Sequence, residues 1–307
     1  MKKKQKPTPL ISLLAPRYWA LWAFFGVLRL IVLLPYPQLK SLAFKLGPVL
    51  MKAQARRVHI ARVNLSLCFP EKDERERERI LRESFGYAVL GIFEMGLAWW
   101  ASEKRFNAMI TINGLNIFHH ALKQGRGVIG LSGHFTQAEL FMRTMGKQLP
   151  LTIFYRQQKN ALFEWFSVRQ RRKYLSGLVE RKDVGGFFKA LEKNQVLAYL
   201  PDQDFGIRNG VFAPFFGQQA ATITALSNKL YHEGVQFVYA FIHNTGDLQK
   251  PYEVNSYALE NFPTRDELKD AITLNTIIEA AIRQHPEQYM WQHRRFKTRP
   301  EGEPRIY

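Results

Sequence analysis

Three features of this sequence predict an α/β fold: a mainly parallel central sheet flanked by helices, preceded by an N-terminal helical membrane anchor. From residue 114 onward, short apolar runs alternate with longer helical stretches, the order expected of strands joined by crossover helices. Those runs are apolar throughout rather than alternating, as in strands covered on both faces. Near the start, the seventeen residues from Tyr18 to Leu34 carry one charge, Arg29, and are closed by Pro35 and Pro37.

The elements can be justified in chain order. Lys2, Lys3, Lys4, Lys6 and Arg17 precede the apolar segment, and Lys40, Lys45, Lys52, Arg56 and Arg57 follow it. At about 1.5 Å rise per residue such a helix is roughly 25 Å long, short of the ~30 Å hydrocarbon core. Tyr18, Trp19 and Trp22 lie where an interfacial aromatic belt belongs. A cleaved signal peptide and a buried globular helix are alternatives, but no small-x-small cleavage site follows. Arg29 and the positive charge on both flanks suit partial insertion, or a helix lying in the interface, at least as well as a clean span. The expected division is an anchor over 1–37 and an α/β domain over 38–307.

Residues 38–66 read as basic and helical. LCFPEKDERERERI reads as a solvated helix start, with the helix continuing through SFGYAVLGIFEMGLAWW. GVIGLS (127–132), LTIFY (151–155), VLAYL (196–200) and VQFVYAFI (235–242) are the expected strands. FTQAELFMRTMGKQ, ALFEWFSVRQRRKY, VGGFFKALEK and ATITALSNKLYHE are the expected helices.

Composition narrows the function classes. Of 307 residues, 46% are hydrophobic, enough for a sizeable core and too many for disorder. The net charge of +18 draws polyanions: nucleic acid, an anionic membrane, a phosphorylated substrate or an acidic protein. A single cysteine, Cys68, excludes an internal disulfide and suits a reducing compartment.

The stretch GHFTQAEL (133–140) carries the chemistry. His134 comes just after an apolar strand, where ligands bind in open α/β sheets. His134 and Glu139 are five residues apart, about 140° on a regular helix, so they share no helical face. They meet only if His134 lies in the strand-to-helix turn, which Gly133 eases. Imidazole would then act as general base and the carboxylate as its orienter; a capping or solvated pair is the alternative. No G-x-S-x-G elbow surrounds Ser132. Direct attack by an activated substrate hydroxyl is therefore the plainer chemistry.

HFTQAE matches the H-x4-D/E motif of glycerolipid-type acyltransferases, and the wider chain resembles the late acyltransferases of lipid A biosynthesis in Gram-negative bacteria. PRYWALW, NLSLCFPE, YRQQKN, the RKD segment at Arg181 to Asp183, YLPDQDFG and PEQYMWQHRRFKTRPEG carry the resemblance almost end to end. Within the group, Glu139 and the QYMWQHRRFKTRP tail are most similar to the lauroyltransferase branch and its palmitoleoyl relative; the myristoyl branch typically has Asp in the motif. The resemblance implies a glycerolipid-acyltransferase-like fold and transfer of an acyl group from acyl carrier protein to a hydroxyl on a 3-hydroxyacyl chain of Kdo2-lipid IVA. It places the enzyme at the cytoplasmic face of the inner membrane, single-pass or monotopic, with no cofactor. Both partners are anionic, which suits +18.

Other residues are candidates for substrate binding. Arg156 and Asn160 in YRQQKN lie beside the motif in the family, and arginine's planar fork suits phosphate. Arg181 and Lys182 belong to the RKD segment, whereas Arg169, Arg171, Arg172 and Lys173 read as general electrostatics or a helix-dipole complement. Asp202 and Asp204 follow an apolar run; no further ligand set accompanies them, so hydrogen bonding to neighbouring loops or orientation of a basic residue outweighs a metal. Arg208 follows within reach of an anion. Arg294 and Arg295 lie in HRRFKTRP, where headgroup or carrier-protein binding outweighs nucleic-acid binding because no nucleic-acid module accompanies them. Two rival functions stay open: an acyl-CoA-dependent lysophospholipid acyltransferase, and a basic non-catalytic protein binding membrane surfaces or nucleic acid.

Overall fold

The computed structural model describes residues 10–228 and 230–307; Lys2, Lys3, Lys4 and Lys6 lie outside the described residues. The front end is helical. After two short 3-10 turns come α1 (Trp19–Ile31), α2 (Tyr36–Ala53), α3 (Ala55–Cys68), α4 (Glu74–Trp100) and the one-turn-and-a-half α5 (Glu103–Ala108). Asp73 caps α4 by accepting from the Glu76 amide, with Glu74 and Glu76 in the first turn, worth about 1 kcal/mol. The charged run is thus a helix start, and its Arg79–Glu83 pair is a surface contact of at most ~1 kcal/mol.

The anchor takes a different form from a span. Among the described residues no helix is long and apolar enough to cross a membrane. α1 has 13 residues, and its Phe25 and Leu28 are buried. Phe25 stacks on Phe166 with centroids 4.3 Å apart and packs edge-on to Trp99. The guanidinium of Arg105 donates to the carbonyls of Val32 and Leu34, tying the end of the apolar segment to the domain.

The remaining elements are β1 (Ile110–Asn113), α6 (Leu115–Lys123), β2 (Val128–Leu131), α7 (Ala138–Gln148), β3 (Leu151–Tyr155), α8 (Ala161–Arg171), β4 (Gly177–Glu180), α9 (Val184–Glu192), β5 (Val196–Tyr199), β6 (Gly210–Phe215), β7 (Gln218–Ile223), β8 (Gln236–Asn244), β9 (Tyr252–Ala258) and α10 (Glu267–Gln284). Seven strands form one sheet in the order β1-β9-β8-β2-β5-β3-β4, parallel except where β8 meets β9. One face packs against α4, α6, α7 and α8, the other against α9 and α10, as the alternation of strands and helices predicts.

ATITALSNKLYHE departs from its expected helix. Its first residues, Ala221 to Ile223, belong to β7, which pairs antiparallel with β6 across Phe216 and Gly217, and turns follow. Both loop residues have positive φ, 50° and 73°, the geometry of a tight hairpin turn matched to strand twist. The β-branched Thr222 and Ile223 favour the strand.

Candidate active site

β2 and β5 are neighbours, with Leu131 opposite Tyr199. Three residues beyond each of those positions stand His134 and Asp202, so equal offsets from a paired register bring the two side chains together. His134 lies in the turn before α7, and Glu139 lies in the first turn of that helix, as expected. Gly133 contributes by closeness rather than by a left-handed conformation. Its φ is not positive, and a Cβ there would stand 3.1 Å from Phe135 and 3.6 Å from Asp202 Oδ2.

The expected pairing of His134 with Glu139 is replaced. The His134 Nδ1–Asp202 Oδ1 separation is 2.6 Å, and the His134 backbone N–H donates to Asp202 Oδ2 at 2.8 Å. The Tyr289 hydroxyl also donates to Oδ2, at 2.8 Å. Burial alone would push the Asp202 carboxyl up, but the adjoining imidazole and these donors hold it at about 2. A carboxylate accepts only, so Nδ1 carries the proton and Nε2 keeps its lone pair. Burial would lower the His134 pKa; the Asp202 charge outweighs it and leaves a stronger base than free imidazole.

Glu139 is engaged elsewhere. It accepts from Arg171 Nε and Nη2 (2.7 Å to the latter), from the Tyr174 hydroxyl at 2.7 Å and from Trp99 Nε1 at 3.0 Å. Its side chain is only 8% exposed. Burial would raise its pKa, and the Arg171 charge brings it below the usual carboxylate range. The physical reason for the correction is a competition: a guanidinium presents a permanent charge in a bidentate fork, which a neutral imidazole does not match. Arg171, read from the sequence as general electrostatics, is instead half of a buried ion pair that fixes the start of α7.

The C-terminal segment closes the turn from the other side. Phe135 forms a β-bridge with Tyr289, the Thr136 amide donates to the Gln288 carbonyl, and the Met290 amide donates to the His134 carbonyl. Asn64 of α3 donates to the carbonyls of Trp291 and His293 at 2.7 Å each. From α4, Gly91 approaches so closely that a Cβ would lie 2.8 Å from the Thr136 carbonyl oxygen.

A cavity of about 820 Å³ opens at His134. The expected Arg156, Arg181 and Lys182 border it, as does Arg171, which is paired with Glu139. The other candidates do structural work. Asn160 caps α8 by accepting from the amides of Leu162 and Phe163. Asp204 accepts from the amides of Gly206 and Thr298 and from the Thr298 hydroxyl. Its own amide donates to His293 Nε2, an imidazole kept neutral at about 4, chiefly by burial and then by the nearby His134. Arg295, 3% exposed, donates to the Ala221 carbonyl, the Thr222 hydroxyl and Asn275. Arg208 is exposed and Arg294 half-buried over the Tyr307 ring, and neither borders the cavity.

Comparison with known proteins identifies the family. The bacterial lipid A biosynthesis acyltransferase family matches residues 7–298. The chain belongs to this family. It is 37% identical to the lipid A biosynthesis lauroyltransferase of Escherichia coli strain K12 over 298 residues, covering 96% of this chain and 97% of that one. It is also 37% identical to the lipid A biosynthesis palmitoleoyltransferase of that strain, over 96% of each chain. Identity to the lipid A biosynthesis myristoyltransferase of the same organism is 27%, over 95% of this chain and 91% of that one. The chain is therefore an acyltransferase of lipid A biosynthesis, and its near-complete coverage of these relatives extends from the N-terminal helices through the C-terminal segment that clamps His134.

Proposed function

We propose that this enzyme moves a fatty acyl group, lauroyl or a similar chain, from acyl carrier protein to a hydroxyl on a 3-hydroxyacyl chain of Kdo2-lipid IVA, with His134 as general base and Asp202 as its orienter. The observation that carries this reading is the 2.6 Å His134–Asp202 contact at the edge of a cavity bordered by Arg156, Arg171, Arg181 and Lys182. His134 Nε2 takes the proton of the acceptor hydroxyl. The hydroxyl oxygen attacks the thioester carbon, the C–O bond forms, the C–S bond breaks, and the imidazolium returns the proton to the departing sulfur. Asp202 stays ionised and stabilises the imidazolium. Glu139 holds the site's shape through Arg171 rather than touching the proton.

A membrane surface is the natural place for this work. α1 buries Phe25 and Leu28 and turns Trp19, Val27 and Leu30 outward, each more than half exposed, with Arg17 and Arg29 beside them. That pattern supports a helix lying in the interface, which would leave the inward contacts intact.

The test is a transfer assay with purified full-length protein, labelled acyl-acyl carrier protein and Kdo2-lipid IVA in mixed micelles. An acceptor heavier by one acyl chain is the expected product. Transfer from acyl-CoA to a lysophospholipid with none to Kdo2-lipid IVA would replace this reading with the lysophospholipid one. Flotation with anionic vesicles tests the interfacial helix: binding should weaken when Trp19 and Leu30 are both replaced by Ser.

A further inference from the structure

The cavity at His134 reaches both faces of the sheet. Successive residues of a strand point to opposite faces, yet the neighbours Ile153 and Phe154 on β3, and Ala198 and Tyr199 on β5, all border it. The packing agrees: Ile153 and Ala198 sit with Leu140 of α7 on one face, while Phe154 and Tyr199 sit with Phe187 of α9 on the other. One cavity therefore bends over the C-terminal ends of these strands, and His134, just beyond the adjacent β2, stands at the same edge.

The two arms differ in character. The arm under α7 is walled by Ala138, Phe141, Met142, Ile153, Ala198 and Ile242, and Arg171, which also borders the cavity, is paired with Glu139. The second arm passes Val184 and Ala225 and ends at the exposed Arg181 and Lys182, beside the start of α9. Transfer of an acyl chain to a hydroxyl borne on another chain requires two hydrocarbon chains to converge on one base. The donor chain must leave its carrier along its whole length, which calls for an apolar slot with no unpaired charge. The acceptor chain stays tethered to an anionic headgroup, which calls for a slot with a cationic rim.

Resting on the acyl-transfer reading above, we infer that the α7 arm holds the donor acyl chain and measures its length, and that the α9 arm holds the acceptor's hydroxyacyl chain. The experiment measures kcat/KM for saturated acyl donors from ten to sixteen carbons, and KM for the acceptor, in the parent, Ala198→Leu, Met142→Trp and Ala225→Leu. Ala198→Leu should lower the ratio of longest to shortest donor by about tenfold or more, since each misplaced methylene in a fitted apolar pocket discriminates by about 10- to 200-fold. Acceptor KM should stay within about twofold. Met142→Trp, at a half-buried helical position, makes the same measurement if Ala198→Leu does not fold. Ala225→Leu should raise acceptor KM and leave the order of donor lengths unchanged. Folded α7-arm variants that preserve the parent's length order, or an exchange of effects between the arms, would overturn the assignment. A parent enzyme that transfers no chain of any length defeats the acyl-transfer reading itself, a different result from an unaltered length order.

Discussion

Asp202→Asn isolates the role of the carboxylate. Asp202 offers two oxygens to three donors: the His134 amide, His134 Nδ1–H and the Tyr289 hydroxyl. Asparagine offers one. If that oxygen takes the place of Oδ2 it satisfies the amide and Tyr289, and the new NH₂ then faces Nδ1. The imidazole answers by accepting at Nδ1, which moves its proton to Nε2 and removes the base. The same change to an imidazole-orienting aspartate in a serine protease triad costs about 10⁴-fold in kcat, near 5 kcal/mol of barrier. A loss of about 10³- to 10⁴-fold is expected here. Folding should suffer little, about 1–3 kcal/mol for an imperfectly matched buried polar group. The assay is steady-state transfer from acyl-acyl carrier protein across pH 5–9, with a thermal melt of the same sample. In the parent, activity should fall as pH drops through a pKa above the ordinary 6.5, because the base works only when neutral and Asp202 raises its pKa. Residual activity in the variant should keep its neutral base to lower pH, since the anion is gone. A folded Asp202→Asn enzyme within about tenfold of the parent, with the parent's pH profile, would refute the orienting role.

His134→Ala should lower kcat/KM by about 100- to 10,000-fold in the same transfer assay, with a melt lowered by the equivalent of about 1–3 kcal/mol as Asp202 Oδ1 loses its donor. Glu139→Gln should act on the fold, lowering the midpoint as the partly buried Arg171 loses its counter-charge; a displaced pH profile in a normally stable protein would instead return the base's partner to Glu139. Replacing Arg181 and Lys182 together with Ala should raise acceptor KM by about tenfold, with the difference shrinking at high salt, as measured in micelles of fixed composition. Arg295→Lys should lower the melting midpoint and leave acceptor KM unchanged, because its guanidinium donates to Ala221, Thr222 and Asn275 rather than bordering the cavity.

Much of the scaffold was legible because it follows from local pattern. The runs GVIGLS, LTIFY, VLAYL and VQFVYAFI are strands of the central sheet, and GHFTQAEL is a strand-to-helix turn. What escaped depends on contacts distant in sequence. Asp202 lies 68 residues from His134 and Arg171 lies 32 from Glu139, and spacing within one motif is blind to both. A signal was present: His134 and Asp202 each follow an apolar run at the same offset, which matters only once the two runs are known to pair. The β6–β7 hairpin was missed because Phe-Gly is not among the usual turn pairs and ATITALSNKLYHE carries an apparent helical period. The apolar N-terminal segment read as a membrane anchor, spanning or interfacial, but which of its residues are buried against protein depends on a partner face distant in sequence, here Trp99 and Phe166.

The C-terminal clamp on the turn at His134 is assembled late in synthesis. The amide and carbonyl groups that hold residues 134–136 come from Gln288 and Met290, and Asp202 gains its third donor from Tyr289. A ribosome builds those residues after every helix and strand of the sheet. A nascent chain stopped short of Gln288 would carry His134 and Asp202 yet lack the strap that sets them. The turn at residues 134–136 therefore takes these contacts only once residues 288–290 have been added.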